Sequence, residues 1–331
     1  MIERCKGEGT HTSSRVAACI FPGRFSFQDA MASTSSASAS DAVEGSASGN
    51  SSALPPPSSL VWSHATNSRA KLDAALSDPT ITAIEADIMI RCCDDDDSNI
   101  IGGGDPIAIM SHPPFSHSDL SAGRFLGRIF QDMTQRGMKR HIKLDFKDMD
   151  AVEPVLNLIA EHHTKDILEF RPTIYLNADI LEGPGVRRRD AVTVRPKEFL
   201  SACLKYIEGM ASDEDSSPNI RQHFAFSLGY KCNYMSKEPY TKEDASDMAK
   251  ISQQYGLDSK CGGVVLALNA RTLALEPGIF DGYFAKFPKS QILAWTGAGE
   301  EPIPRSTIDE IVEHFKTTIC LDRVGFDCDI A

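Results

Sequence analysis

The sequence predicts an α/β fold, a closed (β/α)8 barrel of the TIM type, preceded by a disordered N-terminal extension. The length of 331 residues suits one barrel of this kind. From Leu60 onward, short apolar segments alternate with segments of helical periodicity. Most of the apolar segments end in a polar residue, at the point where such barrels carry their sites. We therefore predict a barrel domain over residues 59–331 and an extension over residues 1–58.

The predicted extension is a low-complexity segment. Between Ser33 and Ser59 it consists mainly of Ser, Ala, Gly and Pro, and such a composition cannot bury enough apolar surface to offset the chain entropy. The stretch before it contains both basic and acidic residues and only weakly resembles a transit peptide. We expect a cytoplasmic protein, or an organelle-targeted one if the first 30 residues are a transit peptide. Met31 is a plausible alternative start.

Eight segments are predicted to be strands because they are short and rich in Val, Ile, Leu, Phe or Tyr, as buried parallel strands are. They are residues 60–64, 83–90, 106–112, 141–147, 173–180, 223–230, 263–269 and 291–296. Helices are predicted between most of them from apolar residues spaced three or four apart. These helices are residues 69–76, a helix that opens at Ser118, and residues 150–161, 197–208, 241–255 and 306–316. Residues 91–105, with four consecutive aspartates, are predicted to form a solvated loop.

Composition narrows the classes of partner. The net charge of −12 argues against nucleic acid or an anionic membrane as the main partner. The sequence contains nothing close to the ~18 consecutive apolar residues that a transmembrane helix needs. The 9 cysteines form no CxxC pair, which favours a reducing, intracellular setting. We expect a monomer that binds a small molecule.

Two predicted strands carry charges on one face. Side chains two apart on a strand share a face, so Glu85 lies beside Asp87, and Asp145 lies between Lys143 and Lys147. In a barrel covered by helices this polar face must point into the interior, where unpaired charge is costly. The sequence therefore predicts a site for a divalent metal held by Glu85, Asp87 and Asp145.

The predicted ligands are all carboxylates, and hard oxygen ligands suit Mg²⁺ or Ca²⁺. The alternative is that Glu85 and Asp87 form internal ion pairs with Lys143, Lys147 or Arg91. Both interpretations are open at this point.

Other polar residues at predicted strand ends complete the candidate site. His64 and His112 come from different strands and could act as general base and general acid near neutral pH, and Lys147 could neutralise a phosphate oxygen. Asn177, Asp179 and Trp295 are candidates for substrate contacts, although the first two could instead cap a loop and the third could be a packing residue.

At these residues the sequence resembles the menorin family. The resemblance rests on residues 62–68 (WSHATNS), 84–88 (IEADI), 111–114 (SHPP), 142–147 (IKLDFK) and 176–181 (LNADIL), which occur in this order. Menorin proteins are in turn similar to the phospholipase C-like phosphodiesterase superfamily, which includes glycerophosphodiester phosphodiesterases. That similarity implies a metal-dependent (β/α)8 barrel.

The superfamily motifs can be transferred one residue at a time. The resemblance implies catalytic roles for His64, His112 and Lys147, and places Trp295 and Thr296 at the motif of the last strand. The metal ligands that it implies are the same as above: Glu85, Asp87 and Asp145.

The sequence departs from the superfamily pattern in two places. Ala65 follows His64 where glycerophosphodiesterases usually have Arg, and Pro113 follows His112 where they have Asp.

The implied function is a metal-dependent phosphodiesterase, acting on a phosphodiester of the glycerophosphodiester or phospholipid type. In related enzymes the nucleophile can be a hydroxyl of the substrate itself. The alternative is a non-catalytic menorin-type binding or signalling protein on the same barrel. A zinc amidohydrolase would need a His-x-His pair on the first strand, and Trp62 occupies the position two before His64.

Overall fold

The structure is a computed structural model that describes residues 54–91, 107–186, 193–212, 218–297, 300–328 and 330–331. Its strands are β1 (Trp62–Ser63), β2 (Ala83–Arg91), β3 (Ile107–Met110), β4 (His141–Phe146), β5 (Ile174–Glu182), β6 (Phe224–Lys231), β7 (Gly263–Asn269), β8 (Gln291–Trp295) and β9 (Val324–Asp327). Its helices are α1 (Arg69–Ser77), α2 (Ala122–Arg136), α3 (Val152–His162), α4 (Thr164–Phe170), α5 (Pro196–Ser212), α6 (Lys242–Tyr255), α7 (Leu257–Lys260), α8 (Ala270–Ala274), α9 (Asp281–Lys286) and α10 (Arg305–Thr318).

Parallel strands and helices form a nearly closed barrel. The strand order is β1-β2-β4-β5-β6-β7-β8-β9, and every neighbouring pair along this path is parallel. This confirms the predicted α/β class and a TIM-like barrel. Because all eight strands run the same way, their carboxyl ends meet at one mouth.

The third predicted strand does not belong to the barrel wall. β3 pairs antiparallel with the outer half of β2, with Ile88 opposite Met110. The prediction of a barrel strand at residues 106–112 was therefore wrong, because strand periodicity does not distinguish a parallel neighbour from an antiparallel one. The eighth barrel strand is β9, a segment that was not predicted as a strand. The predicted acidic loop between β2 and β3 lies almost entirely outside the described residues.

Two apolar layers stabilise the barrel. The larger layer lies between the strands and the surrounding helices, where the ring of Phe199 on α5 packs edge-on against Phe146 and Phe226. The smaller layer fills the barrel interior near its amino-terminal end and includes Trp62 and Tyr175. Because this inner layer supplies the apolar packing, the inward-facing side chains between it and the mouth can be polar. The candidate site lies there.

A short segment before β1 closes the floor of the barrel. Leu54 is buried against Gly263, where an added Cβ would collide with it, and Pro57 packs against Gly325 in the same way. Residues 54–58, assigned to the extension by sequence, thus pack against the barrel. The rest of the predicted disordered extension lies outside the described residues.

Local sequence signals explain where the principal helices begin and end. The side chain of Ser121 caps α2, which ends at Gly137 with φ 68°, a conformation that glycine adopts at little cost. Thr241 and Asp244 form a reciprocal capping box at the start of α6. Across the described part of the chain, no helix combines the length and apolarity needed to cross a membrane.

Candidate metal centre

Three acidic side chains meet inside the barrel mouth. Glu85 and Asp87 lie on β2, and Asp87 is in register with Asp145 on β4. The three residues are 1%, 5% and 8% exposed, and one oxygen from each lies within 4.8 Å of the others. The structure therefore brings together the three predicted ligands in a group that could hold a metal ion.

Lys147 is bound to the same acids. Its Nζ lies 2.7 Å from Asp145 Oδ2 and 3.3 Å from Asp87 Oδ1. Burial would lower the pKa of Lys147, but the charges of Asp145 and Asp87 outweigh it and hold that pKa well above the usual value. Of the internal ion pairs considered as the alternative from sequence, the pair between Asp87 and Lys147 is present, whereas Glu85 pairs with His64.

The ion pairs do not satisfy the whole carboxylate group of Asp145. Its Oδ1 is buried and accepts no hydrogen bond of good geometry among the described residues, although the Asn177 side chain interacts with the Asp145 carboxylate and helps to lower its pKa. Buried polar atoms of native proteins nearly always have a partner. An oxygen-only set with one buried oxygen that lacks such a hydrogen bond matches what a hard divalent cation requires, so the residues fit Mg²⁺ or Ca²⁺.

Burial and charge act in opposite directions on these acids. Burial raises the pKa of Glu85, and the neighbouring Asp87 raises it further, against the opposing effect of His64. Burial also acts to raise the pKa of Asp145, but Lys147 and Lys143 outweigh it and the net pKa is lowered. The cluster therefore has one carboxyl group that resists ionisation and one that is held ionised.

The loop after β1 holds two of the acids in place. The Asn67 side chain donates to Asp87 Oδ2 at 2.7 Å and accepts from the Asp87 backbone N–H at 2.9 Å. The backbone N–H of Ala65, a residue with φ 49°, donates to Glu85 Oε2 at 2.6 Å. Asn67 was not identified as a site residue from sequence, although it lies within the WSHATNS motif that carries the resemblance.

His64 is held by an acid from the other end of the chain. Its Nδ1 lies 2.7 Å from Asp327 Oδ2 and 3.5 Å from Glu85 Oε2. Burial alone would lower the pKa of His64, but Asp327 and Glu85 raise it to about 9. This contact joins β1 to β9, the two ends of the strand order. Asp327 was not predicted as a site residue because β9 is short. The signal for it is weak: the apolar Val324 and Phe326 alternate with Gly325 and Asp327, which point inward.

His112 lies apart from this cluster. Its side chain is exposed, and its Nδ1 lies 2.5 Å from the carbonyl oxygen of Pro113. It follows β3, so it is not at the end of a barrel strand as the sequence suggested. The backbone N–H of Ser111 bonds to the Asp87 carbonyl at 2.9 Å, which keeps the loop beside the mouth. A catalytic role for His112 stays a prediction.

Two of the predicted substrate contacts, Asn177 and Asp179, lie on β5, which borders the acid-bearing strand β4, whereas Trp295 lies on β8. Asn177 is in register with Asp145 and accepts a hydrogen bond from Ser227 Oγ at 2.5 Å. Asp179, two residues further along β5, has a pKa raised by burial. Trp295 is partly exposed at the end of β8, in register with Asp327. Their contact with a substrate stays a prediction.

Glu300 is a further buried acid near this end of the barrel that was not predicted. It accepts hydrogen bonds from the Gly297 backbone and the Asn269 side chain, and it pairs with Arg271 at 3.2 Å. Because its oxygens are occupied by these donors, it holds the loop after β8 and is not a candidate ligand.

The model of the Menorin N-terminal domain matches residues 58–322. The chain belongs to the menorin family. Human Protein FAM151B is 30% identical over 149 residues, which is 44% of this chain and 45% of that protein. The match thus spans less than half of the length of this menorin relative.

Two solved structures have a distant likeness to this menorin chain. A 2,3-dimethylmalate lyase of the PEP mutase/isocitrate lyase superfamily has a TM-score of 0.41 at 9% identity, over 82% of this chain and 74% of its own. A 3-keto-D-glucoside 4-epimerase from E. coli has a TM-score of 0.31 at 8% identity, over 63% and 79%. Neither likeness bears on the activity of this chain.

Proposed function

We propose that this menorin-family chain is a metal-dependent phosphodiesterase that acts on a phosphodiester of the glycerophosphodiester or phospholipid type. One observation carries the proposal: three buried carboxylates from two neighbouring strands converge at the barrel mouth, and one of their oxygens accepts no hydrogen bond of good geometry within the described part of the chain. The phospholipase C-like assignment that motivates the substrate class is part of this proposal.

Glu85, Asp87 and Asp145 would hold the ion. A bound Mg²⁺ or Ca²⁺ supplies Lewis-acid polarisation of the phosphate and lowers the pKa of an attacking hydroxyl. The positive charge of Lys147 would bind a phosphate oxygen. Lys147 already contacts two of the carboxylates. Its ammonium group would therefore be held in position when the substrate binds.

His64 is the candidate for proton transfer. Its Nδ1 faces Asp327, and a carboxylate in that position orients an imidazole ring and leaves Nε2 for the reacting group. The side chain is 27% exposed, so solvent and substrate can reach it. His112 is the proposed partner for the second proton transfer, which requires the exposed loop that carries it to approach the substrate.

A non-catalytic binding or signalling protein is the second candidate. The observation that favours it is the pair of contacts from Lys147 to Asp87 and Asp145. These contacts neutralise charge in the cluster without an ion. In that case the polar barrel mouth would be a ligand or partner surface.

The test is a screen of phosphodiesters with the full chain in Mg²⁺, Ca²⁺ or EDTA, accompanied by thermal unfolding at each metal concentration. We expect metal-dependent turnover that is lost in Asp145→Asn and in His64→Ala. Asp73→Asn, which changes an exposed acid on α1, is the matched control and should keep full activity.

The outcomes separate the two candidates. A metal-dependent rise in Tm that Asp145→Asn abolishes, without turnover of any phosphodiester, would favour the binding protein. If millimolar metal produced no turnover and no shift in Tm, that result would contradict the metal site itself. Turnover that persists in His64→Ala would remove His64 from the mechanism.

A further inference from the structure

Four inward-facing side chains lie side by side across β2, β4, β5 and β6. Asp87 is in register with Asp145, Asp145 with Asn177, and Asn177 with Ser227. The first two are proposed metal ligands, whereas the last two are neutral and carry hydrogen-bonding groups. Because neighbouring strands of a sheet lie about 5 Å apart, side chains in register can contact one another. The row therefore leads from the metal centre to the next two strands of the barrel wall.

Asn177 has a polar partner on each side. The hydroxyl of Ser227 donates to Asn177 Oδ1 at 2.5 Å. On the other side, the Asn177 side chain acts as a hydrogen-bond donor toward the Asp145 carboxylate and helps to lower the pKa of Asp145. An amide carries its donors on nitrogen and its acceptor on oxygen, so the carboxylate selects the orientation in which Nδ2 faces Asp145. Oδ1 then faces Ser227.

Burial separates Asn177 and Ser227 from the open mouth. Asn177 is 3% exposed and Ser227 is 1% exposed, whereas Asp179, two residues further along β5, is partly exposed. A substrate in the mouth would reach Asp179 before it reached Asn177. The contacts of Asn177 thus indicate a role inside the protein, and the carboxylate that it faces is a proposed metal ligand.

We propose that Asn177 is a positioning residue for the metal ligand Asp145, and that Ser227 supports the metal site through Asn177. This inference rests on the metal site of the proposed function and adds to it a support of two hydrogen-bonding side chains. Metal-ligating carboxylates are themselves hydrogen-bonded, and such outer partners orient them. Lys147 holds Oδ2 of Asp145, and the Asn177 amide adds a second, uncharged contact that limits rotation of the carboxylate.

Calorimetric titration of the full chain with Mg²⁺ and Ca²⁺ tests the proposal. Asn177→Ala should weaken binding of the ion about 10- to 100-fold, as the loss of an outer partner of a metal ligand typically does. Ser227→Ala, which removes one oxygen, should weaken it about fivefold, the equivalent of one neutral hydrogen bond. In the double variant the Ser227 substitution should have no further effect on affinity, because its partner is already gone.

Ser252→Ala is the matched control. Ser252 lies on α6, is fully buried, and its hydroxyl lies 3.0 Å from Tyr283 Oη. Its substitution should lower the Tm about as much as Ser227→Ala does, and it should leave the affinity for the ion unchanged. If Asn177→Ala does not fold, the comparison of Ser227→Ala with Ser252→Ala decides between positioning of Asp145 and a general loss of stability.

The outcomes distinguish this proposal from the proposed function. Equally tight binding of the ion in the parent, Asn177→Ala and Ser227→Ala would overturn the positioning role and leave the metal site in place. A Ser227→Ala effect that persists at full size in the double variant would also overturn it. A parent chain that binds no ion would overturn both proposals. The expected affinities without turnover of any phosphodiester would support the positioning role and contradict the phosphodiesterase.

Discussion

His141 should make the folded protein sensitive to mild acid. The residue begins β4, is 6% exposed, and accepts a hydrogen bond on Nδ1 from the Thr173 backbone N–H at 3.0 Å. A nitrogen that accepts from an N–H group carries no proton, so the bonded ring is neutral. Burial, aided by the charge of Lys139, lowers the pKa of His141 from 6.5 to about 3.

The direction of the pH effect follows from this shift. The unfolded chain binds a proton at His141 below pH 6.5, whereas the folded chain does so only near pH 3, so stability is lost as the pH falls between these values. The loss from pH 7 to pH 5 should be about 2 kcal/mol, since each pH unit below the unfolded pKa costs about 1.4 kcal/mol.

The variant His141→Asn isolates the contribution of His141 to the pH dependence of stability. The amide oxygen of asparagine can accept the hydrogen bond from Thr173, but asparagine does not titrate. Urea unfolding at pH 7 and pH 5 should show about 2 kcal/mol less acid destabilisation in the variant than in the parent. Contributions of other groups, including the partly buried His223 whose pKa is also lowered by burial, cancel in the comparison.

His162→Asn serves as the control for the loss of a histidine as such. This side chain is 61% exposed, so its removal should leave the pH dependence unchanged. Equal acid destabilisation in the parent and in His141→Asn would refute the reasoning, because it would show that the folded state accepts a proton at His141 without cost.

Three further predictions, one of them with a matched control variant, test other parts of the structure. Arg140→Leu should destabilise the protein by about 3–5 kcal/mol in urea unfolding, because it removes the donors to the carbonyl oxygens of Leu76, Asp78 and Ile81. The buried Asp132, 3.6 Å from the Arg140 guanidinium, keeps its ion pair with Arg136 in this variant; a loss below about 1 kcal/mol would contradict the expected cost. Gly325→Ala should destabilise the protein by about 1–3 kcal/mol, because the added Cβ would collide with Pro57 in the segment before β1. Gly209→Ala is the control: this glycine lies on a helix with open space around it, so the substitution should stabilise the protein by about 0.8–1 kcal/mol. Equal Tm values for the two variants would contradict the collision. Asn67→Ala should weaken metal binding about 10- to 100-fold by calorimetry, because it frees the side chain of an adjacent ligand; unchanged affinity would show that the ligand needs no such support.

The barrel was largely predictable because its strands and helices have different periodicities. The acids were predictable for the same reason, since alternation on β2 and β4 places Glu85, Asp87 and Asp145 on one inward face. Pairing direction was not predictable, because apolar alternation is the same in a hairpin and in a barrel wall. That is why β3 was assigned to the barrel and His112 to a barrel strand end.

Contacts between distant parts of the chain were the least predictable. The bond between His64 and Asp327 spans 263 positions, and no spacing rule connects residues so far apart. β9 has four residues, and so short an alternation is common by chance.

The sequence left metal ligation and internal ion pairing as alternatives, but the geometry makes them compatible. A carboxylate has two oxygens, and Lys147 contacts only Oδ2 of Asp145 within hydrogen-bonding distance, while Oδ1 of the same group is buried and accepts no hydrogen bond of good geometry from the residues that the structure describes. If the cluster were only an ion pair, burying that second oxygen would cost free energy without a compensating contact. Lys147 can therefore hold Asp145 ionised on one side while the other side is available to a cation.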